Sequence, residues 1–367
     1  MKHSSNNIVH AIVAAALLAG GLASPAGGVG RLLRALADDG PNRADYERME
    51  RGYYEHLIDA GARLEARGPR HRGDAAGNAD ELAVGVDDLR EYVLKPSFRT
   101  IHRGAPWSTN ALGMRDREYE VSKPPGTFRV ALLGDSIATG WGVDGEHGFD
   151  PLLERALDAR SRAAGGPAVE VLDFAVPGHA PGQRWEHFAR VGGAMGADLV
   201  LYEGTAVDAG WDDRRLRLLL PRGLGWDSPL YRDAIARAGL RPGMSADEYR
   251  AGLRSVRREL LEGVYRTIVA ECRARGMPAF FVLVPRVGRP EEREDAARIV
   301  AMARRAGFAA VFDLSGAYDG HDPRDLAIAD DDYHPNALGH ALLARRLEAA
   351  LVARPELRRL WSSEAAP

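Results

Sequence analysis

The sequence has almost no cysteine, no excess of positive charge and no apolar run long enough to cross a bilayer. Cys272 is the single cysteine, so the chain cannot form an internal disulfide and lacks the paired cysteines of a zinc or redox site. We expect a buried thiol. The 49 basic and 52 acidic residues give a net charge of -3, which removes the electrostatic reason to bind nucleic acid. With 45% hydrophobic and 28% charged residues, the composition is typical of a folded protein with a packed core.

The most apolar stretch lies close to the N-terminus. Residues 11–23 read AIVAAALLAGGLA, and no Asp, Glu, Lys or Arg stands between Lys2 and Arg31. A bilayer span needs about 20 apolar residues, so this run fits the core of a secretory signal better. We expect residues 1–26 to be a signal peptide, with the mature chain starting near residue 24 or 27 and the protein secreted or held in the periplasm or cell envelope. The alternatives are an uncleaved anchor, which would associate the protein with a membrane, and a buried Ala-rich helix.

The remainder of the chain divides by composition. Residues 27–104 are rich in Arg, Asp and Glu and contain helix-like stretches, which predicts a helical or irregular accessory region. Residues 105–355 form the predicted main domain, with an insertion at about 209–245, and residues 356–367 a C-terminal tail. The insertion is interpreted either as a substrate wall or lid or as a helical excursion on the surface.

Five short apolar runs alternate with helix-length amphipathic segments in the main domain. They span residues 128–133, 169–176, 198–203, 279–285 and 309–314. This alternation predicts a central five-stranded parallel sheet covered by helices on both faces, a three-layer α/β/α sandwich. Ligands bind such a sheet at the carboxyl ends of its strands. Ser136, Gly178 and Thr205 follow the first three runs and therefore lie at that edge.

A serine at a strand end needs an imidazole to take its proton and a carboxylate to orient that imidazole. The sequence DDDYHPNALGH supplies both before the last helix: His334 as the base and Asp331, three residues earlier, as the carboxylate. Asp332 is the alternative carboxylate, because only the spacing favours Asp331. Each element alone is weak, since Gly-Asp-Ser is common in turns and Asp-x-x-His in loops and helix caps. Their order, serine after the first core strand and Asp-His before the last helix, gives the specificity.

Three other histidines are interpreted as structural residues, and the serine motif of a different hydrolase fold is absent from the sequence. We interpret His340 as a packed or exposed helix residue, and we place His179 and His187 on loop and helix surfaces. Ala138 stands two residues after Ser136, so the Gly-x-Ser-x-Gly elbow of the α/β-hydrolase fold is missing.

The motifs resemble those of the SGNH hydrolase superfamily, the GDSL esterases and lipases, over residues 105–352. Gly134, Asp135 and Ser136 resemble its first block, DFAVPGHAPGQ its second, and the Asp-His pair its last. The resemblance implies a flavodoxin-like fold, Ser136 as nucleophile, His334 as general base and Asp331 as orienting carboxylate. It also implies an oxyanion hole formed by the N–H groups of Ser136 and Gly178, with no metal and no organic cofactor.

The third block departs from the family pattern. Members read Gly-x-Asn-Asp after the third strand, and the asparagine donates a hydrogen bond to the oxyanion. This chain reads GTAVD, and neither Ala206 nor Val207 can donate. Removing one such donor typically costs about 10²- to 10³-fold in turnover. Thr205 is the candidate replacement.

These observations predict an exported serine esterase that hydrolyses acyl or acetyl esters through an acyl-serine intermediate. The expected partner is a small-molecule or glycan ester, with lipid esters as a further class. Two alternatives remain open: an O-acyltransferase that passes the acyl group to a polysaccharide, and a non-catalytic glycan-binding module on the same fold.

Overall fold

The structure is a computed structural model that describes residues 79–330 and 332–354. The predicted signal segment, most of the predicted accessory region, Asp331 and the C-terminal tail lie outside these residues. Among the residues described, no helix is long and apolar enough to span a membrane.

The described part of the predicted accessory region is built mainly of short strands. A single helical turn, α1 (Ala79–Leu82), leads into two antiparallel hairpins. The first hairpin pairs β1 (Ala83–Gly85) with β2 (Tyr92–Leu94). The second pairs β3 (Arg99–His102) with β4 (Ala105–Ser108), and both reach the candidate site described below.

The five predicted core strands are confirmed. They form one parallel sheet whose spatial order is β6-β5-β7-β8-β9, the flavodoxin-like order. Its strands are β5 (Thr127–Leu133), β6 (Ala168–Asp173), β7 (Leu199–Gly204), β8 (Ala279–Leu283) and β9 (Ala310–Asp313). In the register of the central strands, Leu132 pairs with Asp173 on one side and Leu201 on the other.

Helices cover both faces of the sheet, so the predicted three-layer sandwich is also confirmed. Alternate residues of each strand enter two separate apolar clusters, as the pleat requires: Ala131 and Leu133 face one cluster, Val130 and Leu132 the other. The helices are α2 (Phe149–Ala163), α3 (Pro181–Val191), α4 (Trp211–Leu219), α5 (Arg232–Arg237), α6 (Ala246–Ser255), α7 (Arg257–Ala274), α8 (Arg293–Ala306), α9 (Pro323–Leu326) and α10 (Ala337–Val352).

The helices on the two faces of the sheet contribute to different apolar clusters. Helices α2 and α10 contribute to the smaller cluster, and the larger one is built with α3, α4, α7 and α8. Cys272 is fully buried there, as expected.

The insertion packs as part of the fold. Leu216, Leu220 and Tyr231 are buried in the larger cluster, so α4 and α5 are anchored in the core. Both interpretations, a substrate wall or lid and a helical excursion, therefore concern a segment that is packed against the core. The insertion extends the helical layer at the carboxyl edge of the sheet.

Helix α10 has a defined start that positions the loop before it. The side chain of Asn336 accepts hydrogen bonds from the N–H groups of Leu338 (3.0 Å) and Gly339 (3.1 Å), an N-cap. His334 stands two residues before this cap. The loop that carries the candidate base is thus held by the first turn of a buried helix.

Candidate active site

The structure brings Ser136 and His334 together at the carboxyl edge of the sheet. Ser136 follows β5 in a turn, and its Oγ lies 2.8 Å from His334 Nε2. His334 Nδ1 lies 2.5 Å from Asp332 Oδ1. A carboxylate accepts, so Nδ1 carries the proton in this arrangement and the Nε2 lone pair faces the serine hydroxyl. That is the geometry in which an imidazole removes a proton from a serine.

The carboxylate in this contact is Asp332, the alternative to Asp331. Asp332 Oδ1 also accepts from the backbone N–H of His334 at 2.9 Å. A side chain two residues before the histidine reaches both N–H groups in one tight turn, which is the physical reason for its position. Asp331, which the motif spacing had favoured, lies outside the described residues.

Charges around Asp332 keep it ionised. Burial raises the pKa of Asp332, but the hydrogen bonds and charge of His334 and the charge of Arg103 outweigh it, so the pKa lies below the usual value. Arg103 Nη1 donates to Asp332 Oδ2 at 3.0 Å. Sequence reasoning did not single out Arg103, because it lies far from every motif.

A buried arginine holds the turn that follows Ser136. Arg115 donates to the carbonyl oxygen of Thr139 at 2.7 Å and also to those of Gly140 and Val143. The N–H of Trp141 donates to the carbonyl oxygen of Ser136 at 3.0 Å. These bonds fix the turn without any help from regular secondary structure.

The predicted oxyanion glycine sits in a conformation that suits glycine. Gly178 has φ +78°, in the left-handed region. Its turn is held by the Tyr92 hydroxyl, which donates to the carbonyl oxygen of Pro177 at 2.8 Å, and by Arg215, which donates to that of Gly178 at 2.9 Å. Within the described ranges, the N–H groups of Ser136 and Gly178 donate to no backbone acceptor.

Thr205 does not fill the role of the missing asparagine through its hydroxyl. It is buried, and Oγ1 donates to Asp208 Oδ1 at 3.0 Å. A hydroxyl has one hydrogen, and this one is used inside the protein. The sequence had named Thr205 for its ability to donate but could not show the competing acceptor three residues away.

Ala206, one of the two positions where the family's asparagine would fall, lines a cavity of about 280 Å³. Arg286 lines the same cavity, and its guanidinium lies 4.6 Å from the centre of the Tyr333 ring. That ring stacks on His334 with centroids 4.2 Å apart. The cavity therefore borders the loop that carries the base.

Beneath the site, a buried arginine joins the turns after three strands. Arg184 on α3 is 0% exposed and donates to Asp135 Oδ2 at 2.9 Å and to Asp208 at 3.1 and 3.2 Å. It also donates to the carbonyl oxygens of Glu203, at the end of β7, at 2.8 Å and of His179, in the turn after β6, at 3.1 Å. Burial opposes its charge, but the carboxylates of Asp208 and Asp135 hold the pKa of Arg184 well above its usual value.

Position 134 requires glycine because the carboxyl group of Glu203 packs directly against it. A methyl group added there would stand 2.1 Å from Glu203 Oε2. That oxygen accepts from the backbone N–H of Asp135 at 2.8 Å, so the carboxyl group of β7 fixes the residue before Ser136. Burial raises the pKa of Glu203 well above its usual value, which favours the neutral acid.

The three histidines that the sequence analysis set aside are buried. The placement of His179 and His187 on surfaces was wrong: they are 1% and 3% exposed. The ring of His179 packs against those of Tyr92 and His187, with centroids 5.2 and 5.8 Å apart. Nε2 of His179 lies 3.0 Å from the carbonyl oxygen of Tyr92. His340 is a packed helix residue, stacked on Phe149 with centroids 6.3 Å apart.

The fold and this arrangement define a three-layer α/β esterase with serine, histidine and aspartate in contact at the ends of parallel strands. The chain belongs to the GDSL-like Lipase/Acylhydrolase family, whose model matches residues 132–342. It is thus a hydrolase of ester bonds, and the resemblance read from the motifs is confirmed.

Solved structures similar to this chain include esterases. The psychrotrophic esterase EstA from Pseudoalteromonas sp. is 13% identical, with 61% of this chain and 97% of that chain covered and a TM-score of 0.39. The lipase/acylhydrolase from Enterococcus faecalis is 20% identical, with 62% and 96% covered and a TM-score of 0.37. An acetyl-xylooligosaccharide esterase from Geobacillus Stearmophilus is 15% identical, with 60% and 92% covered and a TM-score of 0.38. Comparison with curated proteins gave no match.

The Arg184 network generates a stability prediction. Arg184→Met leaves Asp135 and Asp208 buried without their cation, which we expect to lower the free energy of unfolding by about 3 to 5 kcal/mol. Urea denaturation measures it. Arg190→Met on the same helix is the control: Arg190 is half exposed and pairs with Glu186, so its loss should cost less than about 1 kcal/mol. Equal losses in the two variants would contradict the prediction.

Proposed function

We propose that the protein is an exported serine esterase that removes acyl or acetyl groups from glycan esters. The observation that carries the proposal is the continuous contact from Ser136 through His334 to Asp332. In this proposal the N–H groups of Ser136 and Gly178, which bond no backbone acceptor in the described residues, supply the oxyanion hole that ester cleavage requires.

The mechanism follows from the contacts. His334 Nε2 takes the proton of the Ser136 hydroxyl as Oγ attacks the ester carbonyl, and Asp332 stabilises the imidazolium. The N–H groups of Ser136 and Gly178 donate to the oxyanion of the tetrahedral intermediate. His334 then gives its proton to the departing alcohol, which leaves the acyl group on Ser136. Water, deprotonated by His334, releases the acid and restores the serine.

The cavity beside Ala206 has a mixed lining. Charged side chains, among them Arg286, Glu292 and Asp319, lie beside apolar ones such as Leu283 and Val284. Charged and polar groups match sugar hydroxyls, and apolar groups match an acyl chain. Such a lining suits an ester that joins a short acyl group to a sugar, which supports the glycan esters among the classes that the sequence left open.

The same parts allow transfer to an acceptor other than water. With Ala206 in place of asparagine, the site lacks the side-chain donor of the third block and keeps open space at that position. A sugar hydroxyl entering there would turn hydrolysis into O-acyl transfer. Acceptor-dependent product formation distinguishes the two.

Export forms the second half of the proposal. The apolar run of residues 11–23 is short and free of charge, as in the core of a secretory signal. Acetylated glycans of envelopes and cell walls are met outside the cytoplasm, which agrees with the substrate class proposed.

Substitutions in the triad test the mechanism. We expect Ser136→Ala and Asp332→Asn to lower kcat for short-chain p-nitrophenyl esters by about 10³-fold or more, because nucleophile and oriented base act as a unit. Asp331→Asn is the matched control and should stay within about threefold of the wild type, since the contact to His334 is made by Asp332. Loss of activity in Asp331→Asn with an active Asp332→Asn would reverse the assignment.

Restoring the third-block donor should accelerate turnover. Ala206→Asn adds an amide at one of the two positions where the family's oxyanion donor would fall, so we expect kcat to rise by about tenfold or more. Ala206→Leu has similar volume without a donor and should give no gain. Equal kcat in both variants would show that the amide does not reach the oxyanion.

Processing of the full chain in a bacterial host tests export. We expect protein from the periplasm or medium to begin near residue 24 or 27, as read by intact mass. Leu17→Arg places a charge in the apolar run and should leave the precursor uncleaved. A wild-type chain that keeps Met1 in the membrane fraction would establish an anchor instead.

A further inference from the structure

We propose that Arg103, on the hairpin β3–β4, is a positioning residue of the triad that fixes the carboxylate of Asp332 and sets the charge felt by the Asp332–His334 pair. The inference rests on the proposed function. Arg103 precedes the residues that the family model matches, so nothing in the family motifs assigns it a role.

The contact uses the oxygen of Asp332 that the histidine leaves open. Oδ1 accepts from the ring and the backbone of His334, and Oδ2 accepts from Arg103 Nη1 at 3.0 Å. A carboxylate bonded on both oxygens cannot rotate about its terminal bond without losing a partner. Arg103 therefore keeps Oδ1 directed at Nδ1.

The hairpin displays this arginine at a turn that most residues avoid. His102 pairs with Ala105, so Arg103 and Gly104 form a two-residue turn, with φ of +49° and +80°. Turns of this kind favour Asn or Asp before Gly, because the first position also lies in the left-handed region. An arginine there costs backbone energy, which its long side chain offsets by reaching Asp332.

The hairpin is anchored to the turn that carries the nucleophile. Trp107 of β4 is 2% exposed and meets Trp141 with ring centroids 5.9 Å apart, and His102 meets Trp141 at 4.3 Å. The Arg103 guanidinium lies 5.6 Å from the Trp141 ring. Trp141 in turn lies 6.1 Å from the ring of His334. The backbone that carries Arg103 is thus held in place relative to both Ser136 and His334.

The other titratable groups around the pair are identified by their elements. Burial lowers the pKa of His102 on β3 to about 4 and of His340 on α10 to about 3, so both are neutral near pH 7. Arg286, from the loop after β8, faces the pair across the Tyr333 ring and bonds Glu292. The cation in direct contact with the Asp332 carboxylate in the described structure is Arg103.

The test compares Arg103→Gln, Arg103→Lys and Arg99→Gln in the full chain. Arg99 is exposed on the same hairpin and serves as the control. The readouts are kcat and KM for p-nitrophenyl acetate across pH, labelling of Ser136 by a fluorophosphonate, and the low-field proton resonance of the His334 Nδ1–H. Urea unfolding checks that each variant folds.

We expect Arg103→Gln to lower kcat about tenfold with little change in KM, because outer partners of a site that orient its groups typically contribute this much. Removing the positive charge makes protonation of the pair easier, so the acidic limb of the kcat/KM profile should move to higher pH, by about 0.5 units after solvent screening. The low-field resonance should shift. Arg103→Lys should return the limb to its wild-type position, and Arg99→Gln should match the wild type.

Two outcomes overturn the inference and remain distinguishable. In the first, the wild type hydrolyses the ester and is labelled, but Arg103→Gln leaves the pH profile and the low-field resonance unchanged. This result would reject the role of Arg103 and leave the esterase proposal standing. A wild type that neither hydrolyses nor labels would reject both. Should Arg103→Gln fail to fold, Arg103→Lys decides: a limb displaced despite the retained charge would also reject the inference.

Discussion

Burial of Arg184 is the constraint on which the site depends. A guanidinium with no access to water must be surrounded by acceptors. These come from the turns after β5, β6 and β7: the carboxylate of Asp135, the carbonyl oxygen of His179 and the carboxylate of Asp208. Satisfying one cation therefore fixes where each of those turns ends. The nucleophile, one residue beyond Asp135, inherits its position from an ion-pair network that never touches substrate.

A second set of contacts locks the turns from outside the sheet. Tyr92 and Arg215 hold the carbonyl oxygens around Gly178, and Arg115 holds the turn after Ser136. Each is a long or aromatic side chain that brings a donor to a backbone oxygen. Hydrogen bonds from side chains to backbone carbonyl oxygens thus fix the irregular turns at the strand ends, as backbone hydrogen bonds fix a helix. They leave the N–H groups of Ser136 and Gly178 unused for the proposed oxyanion hole.

The sequence was sufficient to predict the five strands, because apolar runs alternating with helices specify a parallel sheet. It was also sufficient to predict Ser136 and His334, because the carboxyl ends of parallel strands meet at one edge of the sheet. It could not separate Asp332 from Asp331, since the choice depends on a turn in which one oxygen meets two N–H groups. It could not find Arg103, Arg115 or Arg184 either. Their partners lie far away in sequence, and no local pattern distinguishes such arginines from those on the surface. Thr205 failed for the same reason, as its acceptor is visible only in three dimensions.

The two hairpins before residue 109 determine how far the chain can be shortened without losing part of the site. Motifs alone draw the domain boundary near residue 105, and the family match begins at residue 132. A recombinant fragment starting at residue 105 would retain the whole parallel sheet and every motif block, yet lose Tyr92 and Arg103. One starting at residue 132 would also lose Arg115 and most of β5. The smallest unit that carries the complete site is therefore longer than the unit that carries the recognisable fold, and truncation series based on sequence likeness would divide an active centre that is physically continuous.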